Sequence, residues 1–513
     1  MNGAESLVRT LVAGGVNVCF ANPGTSEMHF VAALDTVPGM RCVLGLFEGV
    51  VTGAADGYYR MKGDVAATLL HLGPGLGNGL ANLHNAKKAR SGIVNLVGEH
   101  ATYHLRHDAP LTSDIVGVAT PMSDWVHTAA SAETLAADAA LAVQAARGAP
   151  GGIATLIAPA DTAWGEAAGP AVMRAAAPRR RVSDDAVRDA ARALTRDGAM
   201  LMLGGAALRG RALELAGRIA AKTGCRLMAE YNNARMEAGA GRPPVPRLPY
   251  VIANALAATA GVRELVLCGA RSPVAFFAYP GKPSVLIGDD CTVTTLAQVA
   301  EDLEHALDAL AAELDAVHVA PLAAERIRPP VNDGALNADT LAAVLAALLP
   351  EHAVVCDESV STGRQFGNAM RHAAPHDWLS IMGGSIGWAL PAAVGAAIAA
   401  PERKVVALES DGSGMYTLQA LWTMAREELD VTVVVFANRA YQILRGEFTN
   451  VGAGAPGRNA TDMLMLDRPD LDWCALARGM GVPAEAADTV TAFGAALGRA
   501  FAERGPRVVV ARM

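Results

Sequence analysis

Short, almost continuously apolar runs recur along the first part of the chain. Each is followed by a stretch whose apolar positions return every three to four residues. The runs Val16–Ala21, Cys42–Phe47, Val65–His71 and Ile93–Val97 lack regular polar alternation, so they predict strands covered on both faces. Gly49–Met61 and Gly77–Ala89 carry the helical period between them. Such alternation implies an α/β fold on a parallel sheet. A stretch rich in Ala, Pro and Arg, Gly165–Val182, reads as a linker. The pattern resumes with AMLMLGG, CRLMAE, ELVLCG and SVLIGDD as strand-like runs. A second joint, IRPPVNDG at 327–334, precedes strands expected at Ala353–Asp357, Val405–Glu409, Val431–Asn438 and Val508–Arg512. The expectation is three consecutive α/β domains, 1–165, 183–325 and 336–513, each a parallel sheet flanked by helices.

Composition narrows the function classes. The 513 residues are 52% hydrophobic but only 5% aromatic, which suits helices packed closely on sheets. The net charge is −8, and RAAAPRRR at 174–181 reads as a solvated linker, so no nucleic-acid partner is expected. The seven cysteines are single and far apart, which predicts reduced thiols and a cytoplasmic location. The N-terminus starts like an amphipathic helix without a signal-peptide layout. Ser380–Pro401 lacks charge but holds four glycines and Pro391, so it predicts a loop and a buried helix, not a membrane span.

The chemistry-bearing stretch is SDGSGMY at 410–416. It ends an apolar strand and opens a helical run beginning at Met415. Strand, glycine turn and helix together aim backbone N–H groups at an anion. Asp411 would repel a phosphate there unless a cation lay between, and Mg²⁺ takes hard oxygen ligands shared with phosphate. Asn438, 27 positions further, ends the next strand and could offer its amide oxygen beside Asp411, with a loop carbonyl at Ala440 as a third ligand. Taken alone, Asp-Gly is a common turn and Asn a common strand terminator.

The combined pattern resembles the diphosphate-binding motif of thiamine diphosphate (ThDP) enzymes, the group that includes acetolactate synthases and benzoylformate decarboxylase. Ser410 replaces the usual first Gly. The resemblance implies that Gly412 and Ser413 touch the cofactor. It also implies a Glu that bonds the cofactor pyrimidine, and Glu48 matches in RCVLGLFEGVVTG. Between Phe47 and Val50 its carboxyl would be buried and suited to sharing a proton. MGGSIGWALPAAVG resembles the loop that bends the cofactor, with Ile386 beneath it and the Gly384 carbonyl near its amino group. FAD, which acetolactate synthases bind in the middle domain, is not expected, since LGGAALRG is a weak echo of a dinucleotide motif. The resemblance implies a homodimer at minimum and commonly a homotetramer.

NPGTSEMHF at 22–30 looks like the substrate loop of benzoylformate decarboxylase and its relatives. Thr25 would face the substrate carboxylate there, and would also cap a helix starting at Ser26. His71 falls where that pattern handles protons. His100, His104 and His107 read as a pocket loop in preference to a zinc site. Phe276 and Phe277 stand where benzoylformate decarboxylase carries a second His, which speaks against simple decarboxylation. Tyr441, Ile443 and Leu444 should line the apolar side of the pocket. The resemblance implies decarboxylation of a 2-oxo acid to an enamine, which is then condensed with a second carbonyl, as in acetolactate synthases. The alternatives are protonation of that enamine, as in a decarboxylase, and a non-catalytic ThDP-binding paralogue.

Overall fold

The computed structural model describes residues 1–513. The first sheet holds β1 (Val18–Asn22), β2 (Arg41–Leu44), β3 (Ala66–Leu70), β4 (Ile93–Glu99), β5 (Trp125–Thr128) and β6 (Ile153–Pro159) in the order β2-β1-β3-β4-β6-β5, all parallel. The second is built from β7 (Ala199–Leu203), β8 (Arg226–Ala229), β10 (Glu264–Cys268) and β11 (Thr292–Ala297), parallel in the order β11-β10-β7-β8. The intervening β9 (Met236–Ala238) leaves that sheet and pairs antiparallel with β13 (His376–Ser380) in the third. The rest of the third sheet is β12 (Ala353–Asp357), β14 (Val405–Ser410), β15 (Val431–Ala437), β16 (Ala484–Ala487) and β17 (Arg507–Arg512), ordered β16-β17-β15-β14-β12-β13-β9. Fully buried Val, Leu and Ala dominate the inner strands, as strands covered on both faces require.

Several local expectations are corrected. SVLIGDD is not a strand. Leu286 is buried against Met200 and Leu265, but Gly288 and two aspartates turn the chain, and the sheet is extended by the Thr-rich edge strand β11 instead. β2 stops at Leu44, so Glu48 opens the helix Glu48–Lys62 after a three-residue turn and does not end a strand. The helix predicted from Gly77 begins at Leu72, because close contacts ask for its glycines: a Cβ on Gly73 would meet the Ser113 hydroxyl at 2.0 Å. Met415 does not open a full helix, since a short turn at Gly414–Tyr416 precedes the helix Ala420–Arg426. Thr25 is not a helix cap. A tight turn at Thr25–Glu27 leads into Met28–Thr36, and the Glu27 side chain accepts the Gly24 N–H at 2.8 Å.

The first and third sheets share one apolar core that runs from Phe20 and Val51 to Val394 and Val433. Its centre is the crossing of Glu48–Lys62 with Ala389–Ala399. Here Asp56 takes Arg60 Nε at 2.9 Å, Ser91 Oγ at 2.5 Å and Trp388 Nε1 at 2.7 Å, and Arg60 Nη1 reaches the Ser380 carbonyl at 2.7 Å. A buried charge pair satisfied this fully fixes one packing of the two helices. No helix is long and apolar enough to cross a membrane.

Candidate functional site

β14 and β15 pair in parallel from Val405↔Val431 to Ser410↔Phe436, so their carboxyl ends lie side by side. This brings Asp411 and Asn438 together, as their spacing implies. Asp411 is buried; its Oδ1 accepts from Gly412 N at 3.0 Å and its Oδ2 from Arg439 N at 2.6 Å. Burial raises Asp411 to about 6 despite these donors. The Asn438 Oδ1 accepts from Ala440 N at 3.1 Å, folding the loop back on the strand end. Gly412 has to be Gly, because a Cβ would meet the Tyr441 ring at 2.7 Å. The Ser413 hydroxyl is already taken by Glu409, leaving its backbone for any ligand. Glu409 is itself fully buried, and its carboxyl is pushed well up by burial and by the nearby Glu358 charge.

A cavity of about 880 Å³ lies beside this strand end, lined by Gly384, Ile386, Tyr441, Ile443 and Leu444 together. Gly384 (φ +73°) and Gly387 (φ +91°) adopt left-handed backbone, which sets Ile386 at the bend between them. Glu358 holds this bend. Its Oε1 accepts from Gly387 N, and its Oε2 from Trp388 N and Ala389 N, each at 2.6 Å. Burial still raises Glu358 to about 7. Opposite Gly384 stand Phe276 and Phe277, stacked edge to face at 4.9 Å, and the Phe276 ring tip lies 3.3 Å from where a Gly384 Cβ would be. Burial pushes the Tyr231 phenol up to about 12 and Tyr250 further. Asn82 ties the bend to the first sheet, donating to the carbonyls of Gly49 at 2.8 Å and Gly387 at 3.1 Å.

Glu48 and His71 gather in a second cluster past the carboxyl ends of β2 and β3, and Thr25 opens the turn that follows β1. Glu48 is nearly buried, and its Oε2 accepts from Asn78 Nδ2 at 3.0 Å. A Cβ on Gly75 would touch both Glu48 Oε1 and His71 Cβ at 3.3 Å, so the two side chains flank one glycine. His71 Nδ1 lies 2.8 Å from Glu27 Oε2 and 3.3 Å from Ser26 Oγ. None of Thr25, Glu48 and His71 lines the large cavity within the one chain. His100, His104 and His107 follow one another as tilted rings with centroids 5.5 Å apart, and no cluster of three or more His, Cys, Asp or Glu side chains is placed to hold a metal.

Sequence reasoning missed Glu27, Asn78 and Glu358. Gly24 and Glu27 have the spacing of a reciprocal cap, which was a usable signal. The strand-end acid in CDES signalled Glu358 faintly, and nothing local marks Asn78.

Residues 1–118 match the description "Thiamine pyrophosphate enzyme, N-terminal TPP binding domain", and residues 361–511 match its C-terminal TPP binding domain. A putative acetolactate synthase large subunit of Mycobacterium tuberculosis is 52% identical over 99% of this chain and 98% of its own length. A benzoylformate decarboxylase of Pseudomonas aeruginosa is 30% identical over 96% of each chain. The solved ThDP-dependent 4-hydroxybenzoylformate decarboxylase of Rhodococcus jostii shares the fold with a TM-score of 0.87 at 24% identity, over 100% of this chain and 99% of that one. With both cofactor-binding regions matched and two relatives aligned along nearly the whole length, this chain belongs to the thiamine pyrophosphate enzyme family.

Proposed function

We propose that the protein is a ThDP- and Mg²⁺-dependent enzyme that decarboxylates a 2-oxo acid and condenses the remaining fragment with a second carbonyl compound. The residues present fit both groups. Asp411 and Asn438, side by side at their strand ends, with the Ala440 carbonyl would give an all-oxygen donor set suited to Mg²⁺. The missing Cβ at Gly412 lets Tyr441 and Leu466 close on the strand end. Glu48, its free carboxyl oxygen beside Gly75, suits the pyrimidine, and Ile386 sits on a bend locked by Glu358. When bound, ThDP supplies the electron sink for decarboxylation.

The observation that carries the condensation reading is the wall over Gly384. Phe276 and Phe277 offer no proton, and the phenols of Tyr231 and Tyr250 hold theirs tightly. The two carboxyls in the lining are engaged elsewhere, Asp357 by Ser359 and Glu358 by the helix start. The wall itself thus sets no proton donor against a fragment lying over Gly384, and about 880 Å³ leaves room for cofactor, fragment and acceptor.

The separation of the Glu48 cluster from this cavity supports a site completed between two copies of the chain, hence a homodimer at minimum and a homotetramer as the larger form. One observation favours a decarboxylase instead: His71 is held in a defined orientation and could return a proton. Mass-spectrometric product analysis with a panel of 2-oxo acids, with and without acceptor aldehyde, decides between them. Hydroxyketone as the main product supports condensation, and free aldehyde as the main product refutes it. If wild type and Glu48→Gln both bind ThDP and are equally inert, the chain is a non-catalytic paralogue.

A further inference from the structure

We propose that Glu27 is the positioning residue for His71, fixing its ring as the Nδ1–H tautomer so that Nε2 is the atom that takes up and returns a proton. The inference rests on the two-copy site proposed above, in which the first-domain cluster of one copy meets the substrate and His71 handles its protons whichever product is released. Glu27 is fully buried, and both of its oxygens are occupied. Oε1 accepts from Ser26 Oγ at 3.2 Å, and Oε2 accepts from Gly24 N at 2.8 Å and meets His71 Nδ1 at 2.8 Å. A carboxylate held by a backbone N–H can only accept from the ring, so Nδ1 must carry the hydrogen. No protein group bonds Nε2, and the His71 side chain is 21% exposed, so that nitrogen is left to meet a ligand.

Two neighbouring glycines show that the chain is shaped around this pair. A Cβ on Gly24 would strike the His71 ring at 2.2 Å, and a Cβ on Gly98 would strike Glu27 Oε1 at 1.7 Å. Both belong to strand ends, one after β1 and one in β4, so the backbone itself confines the ring and the carboxylate. Leu72, directly after His71, is fully buried at φ +47°. A non-glycine residue in that region is strained, and such strain persists where surrounding structure over-determines it. The strained step turns the chain into the helix Leu72–Ala89 while leaving His71 above Gly24.

The test combines ring-nitrogen NMR of histidine-labelled holoenzyme with steady-state kinetics, on wild type, Glu27→Gln, His71→Ala and the double variant. The resonance lost in His71→Ala assigns the ring. The expected result is a single Nδ1–H tautomer in wild type and a mixed population in Glu27→Gln. The kcat of Glu27→Gln should fall about 100-fold, the scale of one acid–base group, with KM for the 2-oxo acid and ThDP affinity within about twofold. The double variant should be no slower than His71→Ala alone. A wild-type ring protonated at Nε2 and bare at Nδ1 overturns the proposal, even if Glu27→Gln fails to fold. So does a double variant whose loss is the product of the two single losses. If the wild type turns over no 2-oxo acid, the functional reading fails, while the tautomer still decides the role of Glu27.

Discussion

Replacing Gly395 by Ala adds one methyl group at the crossing that joins the first and third sheets. The added Cβ would lie 1.8 Å from the Ala54 carbonyl oxygen and 2.5 Å from the Tyr58 nitrogen. Both are backbone atoms of the helix Glu48–Lys62, so no side chain can swing aside. Ordinary contact needs about 3.5 Å, which asks the helices to part by about 1.7 Å or to distort locally. Overpacking of this kind costs about 1–3 kcal/mol. It also moves Glu48, the first residue of that helix, and a misplacement of about 1 Å costs about 100-fold in rate. The control is Gly498→Ala, in the helix Val490–Ala502, where nothing stands within 4 Å. That variant should gain about 0.5–1 kcal/mol from helix propensity. Thermal unfolding by circular dichroism at one scan rate, with turnover measured alongside, checks both. If Gly395→Ala unfolds no earlier than wild type and turns over at the wild-type rate, the close crossing does not position Glu48 and the reasoning is refuted.

Phe277→His places an ionisable ring on the wall over Gly384 and should raise the ratio of aldehyde to condensation product; an unchanged ratio would count against shielding as the cause. Mixing inactive Glu48→Gln and Asp411→Ala chains under subunit exchange should restore about a quarter of wild-type activity, since half of randomly paired dimers carry one intact site of two. No recovery would mean that both residues serve from the same chain. Asp411→Ala should lose Mg²⁺-dependent ThDP binding by about 100-fold or more in a fluorescence titration. Burial lowers His376 to about 4 from 6.5 in the unfolded chain, so the native state refuses the proton. Its stability is therefore full above pH 6.5 and falls as pH drops toward 4, by about 3 kcal/mol, and His376→Phe should flatten that slope in denaturant unfolding.

The parts of this protein that could be read from the chain are those whose signal is local. β12, β14 and β15 are built on apolar runs, and Asp411 and Asn438 directly follow the last two, so strand geometry alone brings them together. β11, β13 and β16 gave no such signal. Thr292–Ala297 and His376–Ser380 are half polar, and Ala484–Ala487 is two-faced; they are strands because a neighbour's ladder was waiting for them. The same division holds in the site. Glu48 and His71 sit at ends of predicted runs, whereas Asn78 reaches Glu48 only because glycine contacts draw the chain into helix five residues before the apolar period begins, at Leu72 and not Gly77. Glu27 reaches His71 from the tight turn Thr25–Glu27, whose cap position is Gly24 and not Thr25. A residue that orients another is thus harder to see in a sequence than the residue it orients, because its partner lies 44 positions away, on a strand end that only the folded sheet places beside it.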